Sequence, residues 1–303
     1  MADHKHGHEH GHEHGHPHQG HDHGHEHGGA DAEALAEVLD LDAEVLSAHL
    51  GAVTAWVAGA VPPPGLVVDL GAGTGVGTFA LLREFPGARV VALDLSAPLL
   101  ERLRARADGL GVADRVEVRQ TDLDAAWPDL TGRGGAGVDL VWASASLHHL
   151  ADPDRVLADV VGALRPGGAL VVLELEGFPR FLPDDVGLGT PGLEARVHAE
   201  LAARRADDLP AMASDWGARL AAAGFSVQAR EFAVELTADL PAATGRYARA
   251  CLGRVRTALA DRLTADDLAV LDVLLADSGP ASLLERDDLT VRTRRSGWIA
   301  TRP

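Results

Sequence analysis

The sequence predicts an α/β domain built on a doubly wound, mostly parallel sheet, and three observations predict it. Short apolar runs alternate with helical stretches of roughly 10–15 residues, the signature of βαβ units. The first of these runs leads straight into the glycine-rich turn Gly71, Gly73, Gly75, and a helical pattern follows. After an interruption, helix and strand patterns resume and carry the chain to its end.

Residues 31–60 open the folded part with a helical pattern, in which Leu35, Val38, Leu39, Val45, Leu46, Leu50, Val53 and Val57 recur at three- and four-residue steps. Pro62, Pro63, Pro64 and Gly65 end it. Five strands are then expected: Leu66–Leu70, Arg89–Leu93, Val116–Gln120, Val138–Ala143 and Ala169–Leu175. Helices fall between them at Val76–Phe85, Ala97–Leu110 and Asp154–Leu164. Residues 178–215 break the rhythm with a Gly- and Pro-rich stretch that turns helical. A helix at Trp216–Gly224 and a strand at Ser226–Leu236 follow, then two helices within Leu240–Ala276 and a last alternating strand, Leu289–Ala300. No repeat of 20–50 residues is visible.

Composition removes several chemistries. With 45 Asp and Glu against 27 Lys and Arg, the net charge is −18, which argues against broad phosphate-backbone binding and against an anionic membrane surface. The single cysteine, Cys251, leaves no partner for a disulfide, a cysteine zinc site or an iron–sulfur cluster. The only lysine is Lys5, so the folded part holds neither a P-loop lysine nor a Schiff-base lysine. There is no long apolar run of membrane-spanning length and no export signal, so the expected residence is cytoplasmic.

Residues 1–29 alternate histidine with Gly, Glu, Asp and Pro and are expected to be disordered, because they have nothing to bury. His4, His6, His8, His10, His12, His14, His16, His18, His21, His23, His25 and His27 offer imidazoles that can bind Zn or Ni. The tail keeps open a role in metal buffering or metal delivery.

Three strand ends carry the chemistry. The segment VVDLGAGTGVGT, residues 67–78, lets the backbone approach a ligand with no Cβ in the way, and the following helix start offers free amides. It does not fit the dinucleotide spacing Gly-x-Gly-x-x-Gly, since the third glycine position falls on Val76 or Thr78. Asp94 ends the second strand about 20 residues after the middle glycine, where an acid can accept ribose hydroxyls. Ser96 is the better helix cap, which leaves Asp94 to a ligand. Asp122 closes the third strand within VEVRQTDLDAAWP, where a carboxylate can accept from an adenine amino group.

These three ends, in this order, resemble the class I S-adenosylmethionine-dependent methyltransferases, particularly those acting on small molecules. VDLVWASASLHHLADPDRVLADVVGALRPGGALVVLE, residues 138–174, is similar to that family's fourth strand, its post-strand loop and the Leu-Arg-Pro-Gly-Gly turn into the fifth strand. The resemblance implies a seven-stranded Rossmann-like sheet, mostly parallel with an antiparallel last strand, plus helical insertions. It implies a methyltransferase domain over 30–303, with a cofactor-binding core at 66–177 and acceptor-side insertions at 178–215 and 240–288. By position, Asp69 orients the glycine loop, and Gly71, Gly73 and Gly75 pass beside the methionine and ribose. Asp94 and Leu95 hold the ribose end, and Asp122 and Leu123 the adenine. Ala143, just past the fourth strand, offers a backbone carbonyl near the methionine.

The implied reaction is in-line methyl transfer to a small-molecule acceptor, and the protein's work is alignment and water exclusion. His148, in the loop after the fourth strand, is the candidate base, and Glu174, ending the fifth, would orient it or face substrate. Trp56, Trp142, Trp216, Phe178, Phe181 and Tyr247 are expected mainly in the core. Arg246, Arg249, Arg254 and Arg256 are expected on a solvated face. The enzymatic alternative is an NAD(P)-dependent oxidoreductase, which shares the sheet and the ribose-binding acid.

Overall fold

The structure, a computed structural model, describes residues 29–130, 137–208 and 210–303. The His-rich segment with its candidate metal ligands lies outside them; Gly29, assigned to that tail, is the first residue of a helix. Two helices come first, α1 (Gly29–Val45) and α2 (Ser47–Ala60). The strand–helix alternation then runs β1 (Leu66–Leu70), α3 (Val76–Glu84), β2 (Arg89–Asp94), α4 (Ala97–Gly109), β3 (Val116–Gln120), β4 (Val138–Ser144), α5 (Pro153–Ala163) and β5 (Leu164–Leu175). The chain continues through α6 (Leu193–Asp208), α7 (Trp216–Ala222), β6 (Ser226–Leu236), α8 (Thr244–Ala258), α9 (Ala265–Leu274) and β7 (Val291–Thr301).

The strands form one seven-stranded sheet in the order β3-β2-β1-β4-β5-β7-β6. Neighbours are parallel from β3 across to β5, whereas β7 runs antiparallel to both β5 and β6. Strands β1, β2, β4 and β5 are nearly continuous apolar runs because helices cover both of their faces. Strand order reverses between β1 and β4, so a crevice opens beyond their carboxyl ends, where ligands of such sheets bind.

Capping sets several helix starts. The Asp152 side chain accepts the Arg155 amide at 3.0 Å at the head of α5, and Pro153 follows at the first helical position. Asp215 does the same for α7 through the Ala218 amide at 2.9 Å, and Thr264 for α9 through the Asp267 amide at 3.1 Å. In α8, Tyr247, Ala248, Cys251, Leu252 and Val255 bury one stripe. That stripe joins α1, α6 and α9 in a core built around Leu41, Phe181, Val197 and Leu271, beside the sheet rather than beneath it. The two sheet faces carry their own cores, one with Trp216, Val156 and Val172, the other with Trp142, Val57 and Leu81.

The predicted turn at Arg165–Gly168 is an excursion within β5. Val138 pairs with Leu164 and Leu140 with Ala169, so the intervening residues loop out of register before the buried run begins. Among the described residues, no helix is long and apolar enough to cross a membrane.

Candidate functional site

The glycine loop is tied to the end of β2. The amides of Gly71 and Ala72 both donate to the Leu93 carbonyl, at 2.8 and 2.9 Å. Gly71 has φ 68°, and a Cβ there would meet Ser146 Cβ at 2.5 Å. Ser146 in turn donates its hydroxyl to the Leu70 carbonyl at 2.7 Å, so the loop after β4 sits directly on the loop after β1. Gly73, at φ 54°, has Leu39 of α1 where a Cβ would reach 3.0 Å. Thr74 donates to Asp40 of the same helix at 2.8 Å.

Asp94 stands at this junction. Its Oδ2 accepts the Gly73 amide at 2.8 Å, and its Oδ1 accepts the Ser96 amide at 2.8 Å. Ser96 makes no side-chain cap bond. The expectation that Ser96 caps α4 and leaves Asp94 to a ligand is therefore corrected: Ser96 holds the N-cap position without a side-chain bond, and both Asp94 oxygens already accept backbone amides. Asp69, at the end of β1, is buried, and its Oδ2 accepts the Thr78 hydroxyl at 2.6 Å. Burial raises its pKa to about 7, opposed by the Thr78 hydrogen bond and assisted by the negative charge of Asp94.

The third strand end is looser. β3 stops at Gln120, so Asp122 follows the strand rather than closing it, and its Oδ1 caps its own turn through the amides of Asp124 (2.9 Å) and Ala125 (3.3 Å). Gln120 donates to the Leu95 carbonyl at 3.0 Å, while the Leu95 side chain is exposed. Leu123 packs against the core of the α5 face. Asp124, a residue with no readable role in the sequence, accepts the Ala151 amide at 2.9 Å and joins the loops after β3 and β4.

Ala143 is corrected. It lies inside β4, buried and paired with Leu70 on one side and Val172 on the other; β4 ends at Ser144, and Ala145 follows with φ 52°. The apolar run of β4 gave no sign that pairing with β5 would extend it by a residue.

His148 and Glu174 are brought together. His148 sits in a short 3-10 turn, Leu147–His149, and its Nδ1 lies 2.6 Å from Glu174 Oε2. Both side chains are buried, and Glu174 Oε1 is a buried atom with no hydrogen-bond partner. His149 is exposed, its ring centroid 4.2 Å from that of His148. Of the aromatic candidates, Trp142, Trp216, Phe181 and Tyr247 are core residues. Arg249 and Arg256 pair with Asp277 and Asp272 on a solvated face, as the sequence predicts. Among the described residues, no group of three or more His, Cys, Asp or Glu side chains is placed to hold a metal ion.

Sequence reasoning missed Ser146, Thr78 and the α1 pair Leu39 and Asp40. Thr78 was legible as the polar residue one helical turn past the glycines; the α1 contacts carry no local signal.

Comparison with known proteins agrees with this geometry. The family described as "Methyltransferase domain" matches residues 68–170, from β1 into β5. A trans-aconitate 2-methyltransferase from Paracidovorax citrulli is 38% identical over 106 residues, covering 35% of this chain and 37% of the relative. A demethylmenaquinone methyltransferase from Thermus thermophilus is 33% identical over 138 residues, 45% of this chain and 54% of the relative. The match thus spans about a third to a half of these relatives' own length. A solved Bacillus halodurans structure assigned as a methyltransferase superposes with a TM-score of 0.52 at 19% identity, covering 84% of this chain and 98% of that one, which speaks to the fold alone. Residues 68–170, the third of the chain that holds the glycine loop, Asp94, Asp122 and the first half of β5, are thus similar to a methyltransferase domain.

Proposed function

We propose that this protein binds S-adenosylmethionine across the tips of β1, β2 and β3 and transfers its methyl group to a small-molecule acceptor. The observation that carries the reading is the 2.8 Å bond between Gly73 and Asp94 at the point where strand order reverses. The residues present fit the cofactor. Glycines with positive φ fold the loop tightly beneath Ser146 and Leu39, and an acid stands beside it. A carboxylate oxygen accepts more than one hydrogen bond, so ribose hydroxyls can share Asp94 with the backbone amides. Asp122 and Leu123 would take the adenine, Leu95 the ribose edge, and Asp69 the orientation of the loop. Ala143, held inside β4, would contribute through the backbone that follows it.

When bound, the cofactor supplies an activated methyl group on a sulfonium. The chain aligns the acceptor, excludes water and manages a proton. With Glu174 ionised, Nδ1–H of His148 donates to it, which fixes the ring and leaves Nε2 to take the acceptor's proton. The α1–α2 segment and the segments 178–215 and 240–288 would form the acceptor side. The names of the two relatives, trans-aconitate and demethylmenaquinone methyltransferase, favour a small acceptor. The comparisons lend no support to a nicotinamide-dependent oxidoreductase or to metal delivery through the tail. Incubation with methyl-labelled cofactor and a panel of small acids, phenols and amines tests the reading: label should move to a small molecule, and the absence of transfer to any acceptor by a protein that also fails to bind the demethylated cofactor would refute it.

A further inference from the structure

We infer that Arg180, Arg205 and Arg292, with His198 among them, form a subsite for a carboxylate group of the acceptor; the inference rests on the methyl-transfer reading above and specifies its substrate class. Arg180 lies just beyond the carboxyl end of β5 and forms an isolated antiparallel bridge with Arg292 of β7. Each donates its amide to the other's carbonyl at 2.9 Å, which sets the two guanidinium-bearing residues directly opposite. Like charges in that arrangement repel, and the arrangement is eased by an anion.

Arg205 comes from α6. Its guanidinium lies 4.3 Å from the centroid of the Phe178 ring and has no carboxylate partner among the described residues. His198 stands two turns earlier on the same face of α6. Burial and the charges of Arg180, Arg205 and Arg292 together lower its pKa to about 4, against a hydrogen bond to the Pro179 backbone, so near neutrality it is an uncharged ring that adds no countercharge to the arginines. No carboxylate figures among the charges acting on it.

Countercharge is scarce. Glu194 reaches Arg292 Nη2 at 3.5 Å, but its other oxygen is taken by the amides of Phe181 (2.5 Å) and Leu182 (3.2 Å). Arg292 Nε is a buried donor with no partner. This is at odds with the rest of an acidic chain, where Arg196, Arg256 and Arg286 each hold an aspartate through two hydrogen bonds. Against the three guanidinium groups stand Glu194, already bonded to two backbone amides, and the exposed Glu235, which pairs across from Arg292 in β6, so positive charge remains in excess. The Phe178 ring backs the Arg205 guanidinium, whose planar fork suits a planar oxyanion.

Its position fits an acceptor. In β7, Arg292 and Ser296 fall on one face by alternation, and Ser296 pairs with Glu174, so the cluster and the His148–Glu174 pair share a side of the sheet. The 3-10 turn Pro210–Ala213 that follows α6 packs against the turn that carries His148. β5 is two strands from β1, about 10 Å across the sheet, so an acid anchored here can reach the cofactor crevice.

Calorimetric titration of the full chain with citrate, and separately with inorganic phosphate, each with and without S-adenosylhomocysteine, tests the subsite. Citrate should bind saturably, and Arg205→Gln and Arg180→Gln should each weaken it by about tenfold or more. Arg205→Lys should retain part of the affinity, and Arg89→Gln, exposed at the opposite end of the sheet, should retain all of it. S-adenosylhomocysteine affinity should be unchanged throughout. Equal citrate affinity in Arg205→Gln, or no citrate binding, overturns the subsite. Binding of phosphate but not citrate overturns the carboxylate assignment. Citrate binding that depends on these arginines in a protein that does not bind S-adenosylhomocysteine would keep the subsite and overturn the methyl-transfer reading instead.

Discussion

Nδ1 of His148 lies 2.6 Å from Oε2 of Glu174, and both side chains are shut away from solvent. A carboxylate on one ring nitrogen fixes the tautomer and leaves the other nitrogen as the acceptor. If that nitrogen takes the acceptor's proton, His148→Asn should lower kcat by about 100-fold or more for an O–H acceptor. Glu174→Gln keeps an acceptor for Nδ1 and should cost less. S-adenosylhomocysteine affinity should be unchanged in both. Steady-state kinetics beside calorimetry reads the split, and a loss confined to KM would remove the base role.

Asp69 should impose a pH dependence on stability. Its folded pKa of about 7 stands above the ordinary value of 3.8, so between these values the folded state holds a proton that the unfolded state has lost. Its contribution is therefore fully present below about pH 4 and lost as pH rises through 7, by at most about 4 kcal/mol. Asp69→Asn should lack this slope. Denaturant unfolding of both proteins at pH 4.5 and pH 8, taken as a difference, isolates it from the other titrating groups.

One carboxylate ties the first helix to the last strand. Asp42 Oδ1 of α1 accepts from Tyr247 Oη at 2.6 Å and from Arg295 Nη2 at 2.5 Å. Asp42→Ala should destabilise the fold by about 3–5 kcal/mol, because Arg295 loses its counter-ion in a largely buried position. Tyr247→Phe should cost nearer 1 kcal/mol. Chemical denaturation of the single and double variants measures the coupling.

The contact between the first and fourth loops can be tested at Gly71. Alanine there meets both an unfavourable φ of 68° and Ser146 Cβ at 2.5 Å. Gly71→Ala should weaken S-adenosylhomocysteine binding by about tenfold or more while the far-ultraviolet spectrum stays native. Pairing it with Ser146→Gly should restore only part, since the backbone strain remains.

The sheet was legible because its central strands are buried on both faces and read as apolar runs between helical stretches. The glycine loop and its junction with Asp94 were legible because a backbone that turns at positive φ favours glycine and a carboxylate at the next strand end can take up its amides. Less could be read where long-range pairing decides the outcome. The fourth strand was expected to end at Ala143, and pairing with β5 carries it one residue further, to Ser144. The approach of Leu39 and Asp40 to the glycine loop depends on how α1 packs against α3 and α4, and the Arg180–Arg292 bridge joins residues more than a hundred positions apart. Neither leaves a local pattern.

The most direct test of the central claim is calorimetric titration of the intact chain with S-adenosylhomocysteine, alongside Asp94→Ala. Saturable one-to-one binding in the micromolar range is expected, weakened by about tenfold or more in the variant. No binding by the folded wild-type protein, or equal binding by Asp94→Ala, would contradict an adenosyl site at the tips of β1 and β2.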